Sequence, residues 1–304
     1  MSFSRELSLA LSICIGIVLS LGIGLLAYRR GSLDKSGVVG AVLTGTAIFG
    51  FGGFVPGLLL VAFFISSTVL SHYKARVKEK FSEKFQKGSR RDLGQALANG
   101  GWAAVIAVGI GMSQWNQDDM RLQLLLFAAF LGAMATVTAD TWATEIGVLS
   151  ARAPRMLTTW HRVPAGTSGA ITLLGTLTAL AGAAFIGIVA VLGVLIQSFA
   201  VGTIGWSGNW NFVSNAILAG MTLLVVLCAC SGLAGSLFDS LLGATVQGIY
   251  FCEYDEMQTE KKIHGCGRAT RLVRGWVWLD NDAVNFSASV VGSAIAFGLA
   301  NLIL

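Results

Sequence analysis

Charge is scarce along this chain. Asp, Glu, Lys and Arg together make up 12% of its 304 residues, against about 25% in an ordinary soluble domain. With 54% hydrophobic residues and long apolar runs, that scarcity excludes a charged soluble surface and indicates an integral membrane protein. Proline is nearly missing, 3 residues against 38 glycines, a balance that suits close-packed membrane helices. Period-two alternation over many short segments is also missing, so strands are not expected. No internal repeat is evident, which weighs against carriers built from duplicated halves. No small-residue cleavage site follows the first apolar run, where "YRRG" stands instead, and no Ser/Arg-rich transit segment precedes it; the mature chain is expected to start at or near Met1.

Cysteine is sparse as well, with five residues. Cys14, Cys228 and Cys230 fall in apolar runs and read as packing residues. Cys252 and Cys266 flank a polar loop that contains His264. A structural zinc site takes about four ligands at tight spacing. Three fall short, so these residues are expected to hold no metal. In a cytoplasmic loop both thiols would stay reduced.

What is present is a series of apolar runs: 7–27, 36–51, 54–72, 96–112, 122–149, 168–198, 213–251 and 283–303. About 20 residues cross a bilayer. The runs predict an all-α polytopic bundle of about eight spans in one membrane domain, residues 1–304. The second run is short and suits a tilted or re-entrant segment. The fifth, sixth and seventh exceed a simple span and are expected to project or break, the seventh at "GLAGSLFDSLLGATVQG".

The net charge of +5 is concentrated. Loops 28–35, 73–95, 150–167 and 253–282 hold nineteen of the 21 basic residues. One crossing per run puts all four loops on one face, which the positive-inside rule makes cytoplasmic. Both termini are then outside. This basicity reads as membrane topology, not nucleic-acid binding. In segment 73–92, Val77, Phe81 and Phe85 share a helical face among lysines. That pattern fits an amphipathic helix on anionic lipids, and equally a solvated loop helix.

The polar residues collect at that same face. "RRDLGQALANGG" places Arg90, Arg91 and Asn99 at the start of the fourth helix. "ADTWATEIG" places Asp140 and Glu145 at the end of the fifth, and "VPAGTSGAITLLGT" places Gly166, Thr167 and Ser168 at the start of the sixth. "GSLFDSLLGATVQ" places Ser236, Asp239 and Ser240 on the inner half of the seventh, and "NDAVNF" places Asn281, Asp282 and Asn285 at the start of the eighth. Singly, each has a bland explanation as a helix cap or a basic anchor, except Asp140 and Asp239, which interrupt apolar runs. At about 100° per residue, Glu145 lies about 140° from Asp140, so one of the two acids is expected to face a partner helix.

Carboxylates with amides and hydroxyls suit a hard cation such as Mg2+. A Gly-Thr-Ser-Gly turn opening a helix suits a phosphate, although "GTSGAITLLGT" lacks the lysine of a Walker loop. An arginine pair clamps phosphate oxygens. Together these are the parts of phosphoryl transfer, and their place at an interface implies an amphiphilic substrate.

The five quoted strings, in this order from about Gly31 to Phe286, resemble the phytyl-phosphate kinase family. That family also holds the animal transmembrane-protein-nineteen-like proteins and many prokaryotic members, and it is similar at a distance to CTP-dependent phytol and dolichol kinases. The resemblance implies transfer of a γ-phosphoryl group from a nucleoside triphosphate, CTP favoured, to a prenyl monophosphate such as phytyl phosphate, as in tocopherol biosynthesis. It implies Mg2+ held by Asp239 with Asp140 or Glu145, with Asp282 nearby. Arg90 and Arg91 would neutralise phosphate oxygens, and Gly166, Thr167 and Ser168 would cradle a phosphate. Ser236, Ser240, Asn99, Asn281 and Asn285 would bind substrate or nucleotide, and Leu174, Leu237 and Leu241 would line the lipid tail. The membrane would be the prokaryotic cytoplasmic membrane or a thylakoid. A lipid-phosphate transporter or flippase and a cytidylyltransferase are the alternatives.

Overall fold

The computed structural model describes residues 2–78, 83–84, 90–113, 119–200 and 210–304. Helix α1 (Ser2–Arg29) turns into α2 (Lys35–Ala47), whose start is capped by Asp34 Oδ1 accepting the Gly37 N–H at 2.7 Å. A π turn, Ile48–Gly52, continues α2 and leads into α3 (Phe54–His72). A single helical turn, α4 (Ala75–Lys78), precedes α5 (Leu93–Ser113) and α6 (Met120–Gly147). Strands β1 (Arg155–Met156) and β2 (Ala170–Ile171) pair within the following loop. Then come α7 (Leu173–Ala200) and α8 (Trp210–Thr245). Strands β3 (Ile249–Cys252), β4 (Met257–Thr259) and β5 (Arg271–Arg274) form an antiparallel sheet in the order β4–β3–β5, and α9 (Asn281–Ile303) closes the chain.

Among the described residues, eight helices are long and apolar enough to cross a membrane, and they correspond one for one to the eight apolar runs. The short second run reaches span length because the π turn extends it to Gly52. The expectation of no strands fails in the two long loops. There the backbone polar groups have no helix to satisfy them and pair in short ladders instead.

Helix α6 is the axis of the bundle. Phe130, Leu131, Met134 and Ala135 on it are wholly buried, and α3, α5, α7, α8 and α9 all pack against it. Without a hydrophobic drive between helices in lipid, close approach of small residues does the work. Thr136 shows how: Gly235 of α8 and Gly292 of α9 face it from two sides, and a side chain at either would overlap it. This corrects the expected break in the seventh run. α8 is continuous through "GLAGSLFDS" because Gly232 and Gly235 receive Ala135, Ala183 and Thr136 on the helix surface.

The four basic loops meet at one end. Leu33 bridges to Arg91. Lys84 Nζ donates to Ala165 O at 2.6 Å, and Thr259 Oγ1 donates to Glu83 O at 2.6 Å. The start of α1 and the end of α9 lie at the opposite end of the bundle, since α1 runs towards the basic loops and α9 away from them. Of the amphipathic segment 73–92, the structure has α4, with Val77 exposed; Phe81 and Phe85 lie outside the described residues. Trp160, Trp276 and Trp278 are exposed at this end, the last two stacked at 5.4 Å, as indoles at a membrane–water boundary are.

Candidate active site

A cavity of about 150 Å³, open to solvent, lies at the basic end between α6, α7, α8 and the two long loops. Asp140, Thr144 and Gly147 from the last turns of α6 line it, with Ser236, Leu237, Asp239 and Ser240 from α8 and Asn281 from the first turn of α9. Helical spacing explains the α8 set: positions i, i+3 and i+4 share a face, so Ser236, Asp239 and Ser240 project together. Ser236 Oγ donates to Asp140 Oδ1 at 3.5 Å, joining α8 to α6. Oδ2 of Asp239 is buried with no hydrogen-bond partner among the described residues.

The loop carrying Gly166, Thr167 and Ser168 forms a second wall. Gly166 and Gly169 both have φ of 78°, a region closed to most side chains. Thr167 Oγ1 donates to Pro164 O at 2.7 Å, which tightens the turn. Gly169 lies flat on Ala244 of α8, where a side chain would collide with backbone. Ser168 Oγ donates to Gln247 Oε1 at 2.7 Å, and Gln247 Nε2 donates to Glu260 Oε1 at 3.1 Å.

The expected helix start at Thr167 and Ser168 is corrected. The left-handed glycines and the β2 pairing keep 166–171 out of a helix, and α7 begins at Leu173 with Thr172 Oγ1 accepting the Gly175 N–H at 2.9 Å. That helix start still reaches the cavity, through Thr172, Gly175 and Thr176.

Other candidates lie elsewhere. Glu145 does not line the cavity. Its carboxylate pairs with Lys78 Nζ and accepts from Ser71 Oγ, each at 2.5 Å, so the 140° separation from Asp140 turns it to α3 and α4. Arg90 is exposed beside the Gly31 turn. Arg91 is drawn away by its backbone, whose N–H donates to Ser32 O and whose carbonyl accepts from the Asp34 N–H. Its guanidinium lies over Phe63 and Phe64 and donates to Thr68 Oγ1 at 3.3 Å; burial pushes its pKa down, with Glu145 opposing. Arg91 and Asn99, with Gln95, line a separate, mostly apolar cavity of about 70 Å³. Asp282 and Asn285 are on α9 but outside the lining of the first cavity, where Asn281 alone represents "NDAVNF". Of the three leucines assigned to the lipid tail, Leu237 lines the cavity; Leu174 and Leu241 are exposed.

Glu260, Gln247 and Arg152 also line the cavity and were not singled out from sequence. Gln247 closes a motif already quoted, but Glu260 sits just beyond β4 and Arg152 in an irregular loop, where no helical periodicity applies.

Three carboxylates, Asp140, Asp239 and Glu260, thus face one cavity in which Arg152 is the only Lys or Arg among the described lining residues. Such a site repels a bare phosphate and attracts a cation. The donors are oxygens only, which selects a hard divalent ion such as Mg2+ over a thiophilic one. The orphaned Oδ2 of Asp239 is the free acceptor such an ion would occupy. The residues therefore fit Mg2+.

Comparison with known proteins agrees with this architecture. The chain is 31% identical to Protein PGR of Arabidopsis thaliana over 95% of its own length and 96% of that protein. It is 29% identical to an uncharacterised membrane protein of Methanocaldococcus jannaschii, over 76% and 81% of the two chains. It is 25% identical to Protein VTE6, chloroplastic, of Arabidopsis thaliana, over 90% of this chain and 66% of that one. No solved structure matches. Residues 18–293 match the profile described as integral membrane protein DUF92, and the chain belongs to that family of integral membrane proteins.

Proposed function

We propose that this protein is a membrane kinase that transfers the terminal phosphoryl group of a nucleoside triphosphate to a prenyl monophosphate. The observation that carries the reading is the set of three carboxylates and a glycine-rich hydroxyl loop around one cavity at the basic end of the bundle. The likeness of the motifs to the phytyl-phosphate kinase family supports the substrate class. Positive-inside topology supports a cytoplasmic active site.

The acceptor phosphate monoester is already anionic near neutral pH, so no strong base is needed. Its oxygen attacks the γ-phosphorus, the bond from that phosphorus to the bridging oxygen breaks, and the nucleoside diphosphate leaves. Catalysis rests on positioning and charge neutralisation. Asp140 and Asp239 would hold Mg2+, with Glu260 beside them; when bound, the ion supplies charge neutralisation for the triphosphate. Gly166, Thr167 and Ser168 shape the wall against a phosphate group. Ser168 is oriented by Gln247. Asn281 and Arg152 reach the same space from α9 and from the loop. Leu237 offers apolar contact for the first carbons of the tail.

The test is an assay of purified full chain, in detergent and in lipid nanodiscs, with phytyl, geranylgeranyl and longer prenyl monophosphates against each nucleoside triphosphate. Prenyl diphosphate with nucleoside diphosphate is the expected product pair. A nucleotidyl-lipid with pyrophosphate would replace the reading by cytidylyl transfer. Movement of labelled lipid phosphate between leaflets without nucleotide consumption would replace it by transport.

A further inference from the structure

The β3–β4–β5 sheet carries a polar cluster that phosphoryl transfer does not use. Cys252 ends β3, Asp255 lies in the β3–β4 turn, and His264 and Cys266 lie between β4 and β5. One donor atom from each of these four residues lies within 4.8 Å of the other three. Cys252 Sγ is 3.7 Å from Cys266 Sγ and 3.7 Å from Asp255 Oδ2, and His264 Nδ1 is 2.7 Å from Asp255 Oδ2. The His264 side chain is only 4% exposed, and although Nδ1 and Nε2 each face a carboxylate, neither makes an aligned hydrogen bond among the described residues. A buried imidazole facing a carboxylate and two sulfurs without aligned hydrogen bonds is costly unless another group satisfies it.

We propose that Cys252, Asp255, His264 and Cys266 form a structural zinc site. Two sulfurs, an imidazole nitrogen and a carboxylate oxygen are a mixed soft and borderline set that suits Zn2+ and not Mg2+. Four protein ligands close the coordination sphere, which is the pattern of a structural ion. Asp255 supplies the fourth ligand that counting Cys and His alone misses. His264 ligates through Nδ1, because its Nε2 lies 3.4 Å from Glu83 Oε2, the outer carboxylate that fixes a ligating imidazole's orientation. Glu83 is itself held by the Gly265 N–H and Lys261 Nζ, each at 3.1 Å. The ligand turn is tight: His264 O accepts from the Gly267 N–H at 2.9 Å, with Gly267 at φ 81°.

The sheet has reason to need the ion. Its strands are four, three and four residues long, too short to enclose a core of their own. It also carries Gln247 at its entrance and Glu260 just after β4 into the phosphoryl-transfer cavity. A zinc ion would fix that wall without touching the reactants.

The experiment uses full-length protein purified in detergent with a reductant and no chelator. Elemental analysis should find about one zinc per chain. Replacement by Co2+ in wild-type protein should give intense tetrahedral ligand-field bands and sulfur-to-cobalt charge transfer. Cys252→Ser with Cys266→Ser should lose both. Because that double variant can fail to fold, the wild type provides a second measure: Zn2+ should slow alkylation of Cys252 and Cys266 and leave Cys14 and Cys230 unchanged. Folded wild-type protein that takes up no zinc and alkylates equally with and without it would overturn the proposal. So would a Cys252–Cys266 disulfide in membranes quenched with a thiol trap, or full zinc in the double variant. Asp140 and Asp239 variants should keep their zinc, which separates this site from the kinase reading.

Discussion

Ser168 donates a 2.7 Å hydrogen bond to Gln247 across 79 residues of sequence. It ties the glycine-rich loop before α7 to the segment that enters the β3 sheet. Gln247 passes the connection to Glu260. The cavity is therefore walled by a continuous polar strap, not by separate loops.

Breaking that strap should loosen the loop. Gln247→Ala removes the side chain that Ser168 and Glu260 share, both of them half-buried at the cavity wall, at a cost of about 0.5–1.5 kcal/mol for each hydrogen bond. The expected result is a lower thermal midpoint in detergent and a raised KM for the phosphate substrate. Gln247→Glu should do worse, by adding a fourth carboxylate beside Glu260.

The two membrane-end aspartates should be indispensable to turnover. Asp239→Asn and Asp140→Asn keep shape and remove charge, and each is expected to lower kcat by about 10²–10³ or more, as loss of a preorganised electrostatic contributor does. Steady-state product formation measures this. Thermal midpoints equal to or above wild type would show that the loss is chemical, since removing an uncompensated buried charge relieves strain.

Glu145 gives the contrasting case. Its side chain is 21% exposed and that of Lys78 is 13% exposed, and the two pair directly. Glu145→Gln should lower stability by about 1–3 kcal/mol, between the costs for surface and fully buried pairs. It should leave the activity of the remaining folded protein within a small factor of wild type. A loss of turnover as deep as that of Asp239→Asn would return Glu145 to the cation site.

The α6–α9 contact should tolerate no bulk. Gly292 faces Thr136, whose Oγ1 donates to Gly132 O at 2.8 Å. Gly292→Leu is expected to cost about 1–3 kcal/mol or more from overpacking, read as reduced monodisperse yield and a lower thermal midpoint. Gly298→Leu on the same helix, where an added Cβ meets no atom of the described residues within 4 Å, is the matched control.

Acid should release the cap of α2. The Gly37 N–H and the Ser36 hydroxyl hold the Asp34 carboxyl below the usual carboxylate range. A lowered folded value means the cap stabilises fully above about pH 4, the ordinary Asp value, and fades as pH falls through that lower value. The difference in thermal midpoint between wild type and Asp34→Ala should therefore shrink on acidification, whereas Asp34→Asn should show little pH dependence.

The eight spans and the gathering of basic loops were legible in the sequence. Apolar run length and the Lys/Arg distribution are properties of the solvent each segment prefers, and they act one segment at a time. The pairing of Asp140 with Ser236 and Asp239 was legible for a related reason: all three sit at the same depth on helices whose direction follows from topology. Arg91 shows the limit. Depth placed it correctly, but direction around the helix entry depended on its backbone pairing with Ser32 and Asp34.

Segment by segment, then, amino-acid preference for lipid or water determined the bundle, its basic end and the depth of the acids. Only the tertiary structure decided which of them share a cavity, because helix rotation is set by small-residue contacts such as Thr136 between Gly235 and Gly292. Only it brought in Glu260 and drew Cys252, Asp255, His264 and Cys266 together. Those residues lie in loops or at the end of a short strand, where long-range pairing carries no period that a linear reading can detect.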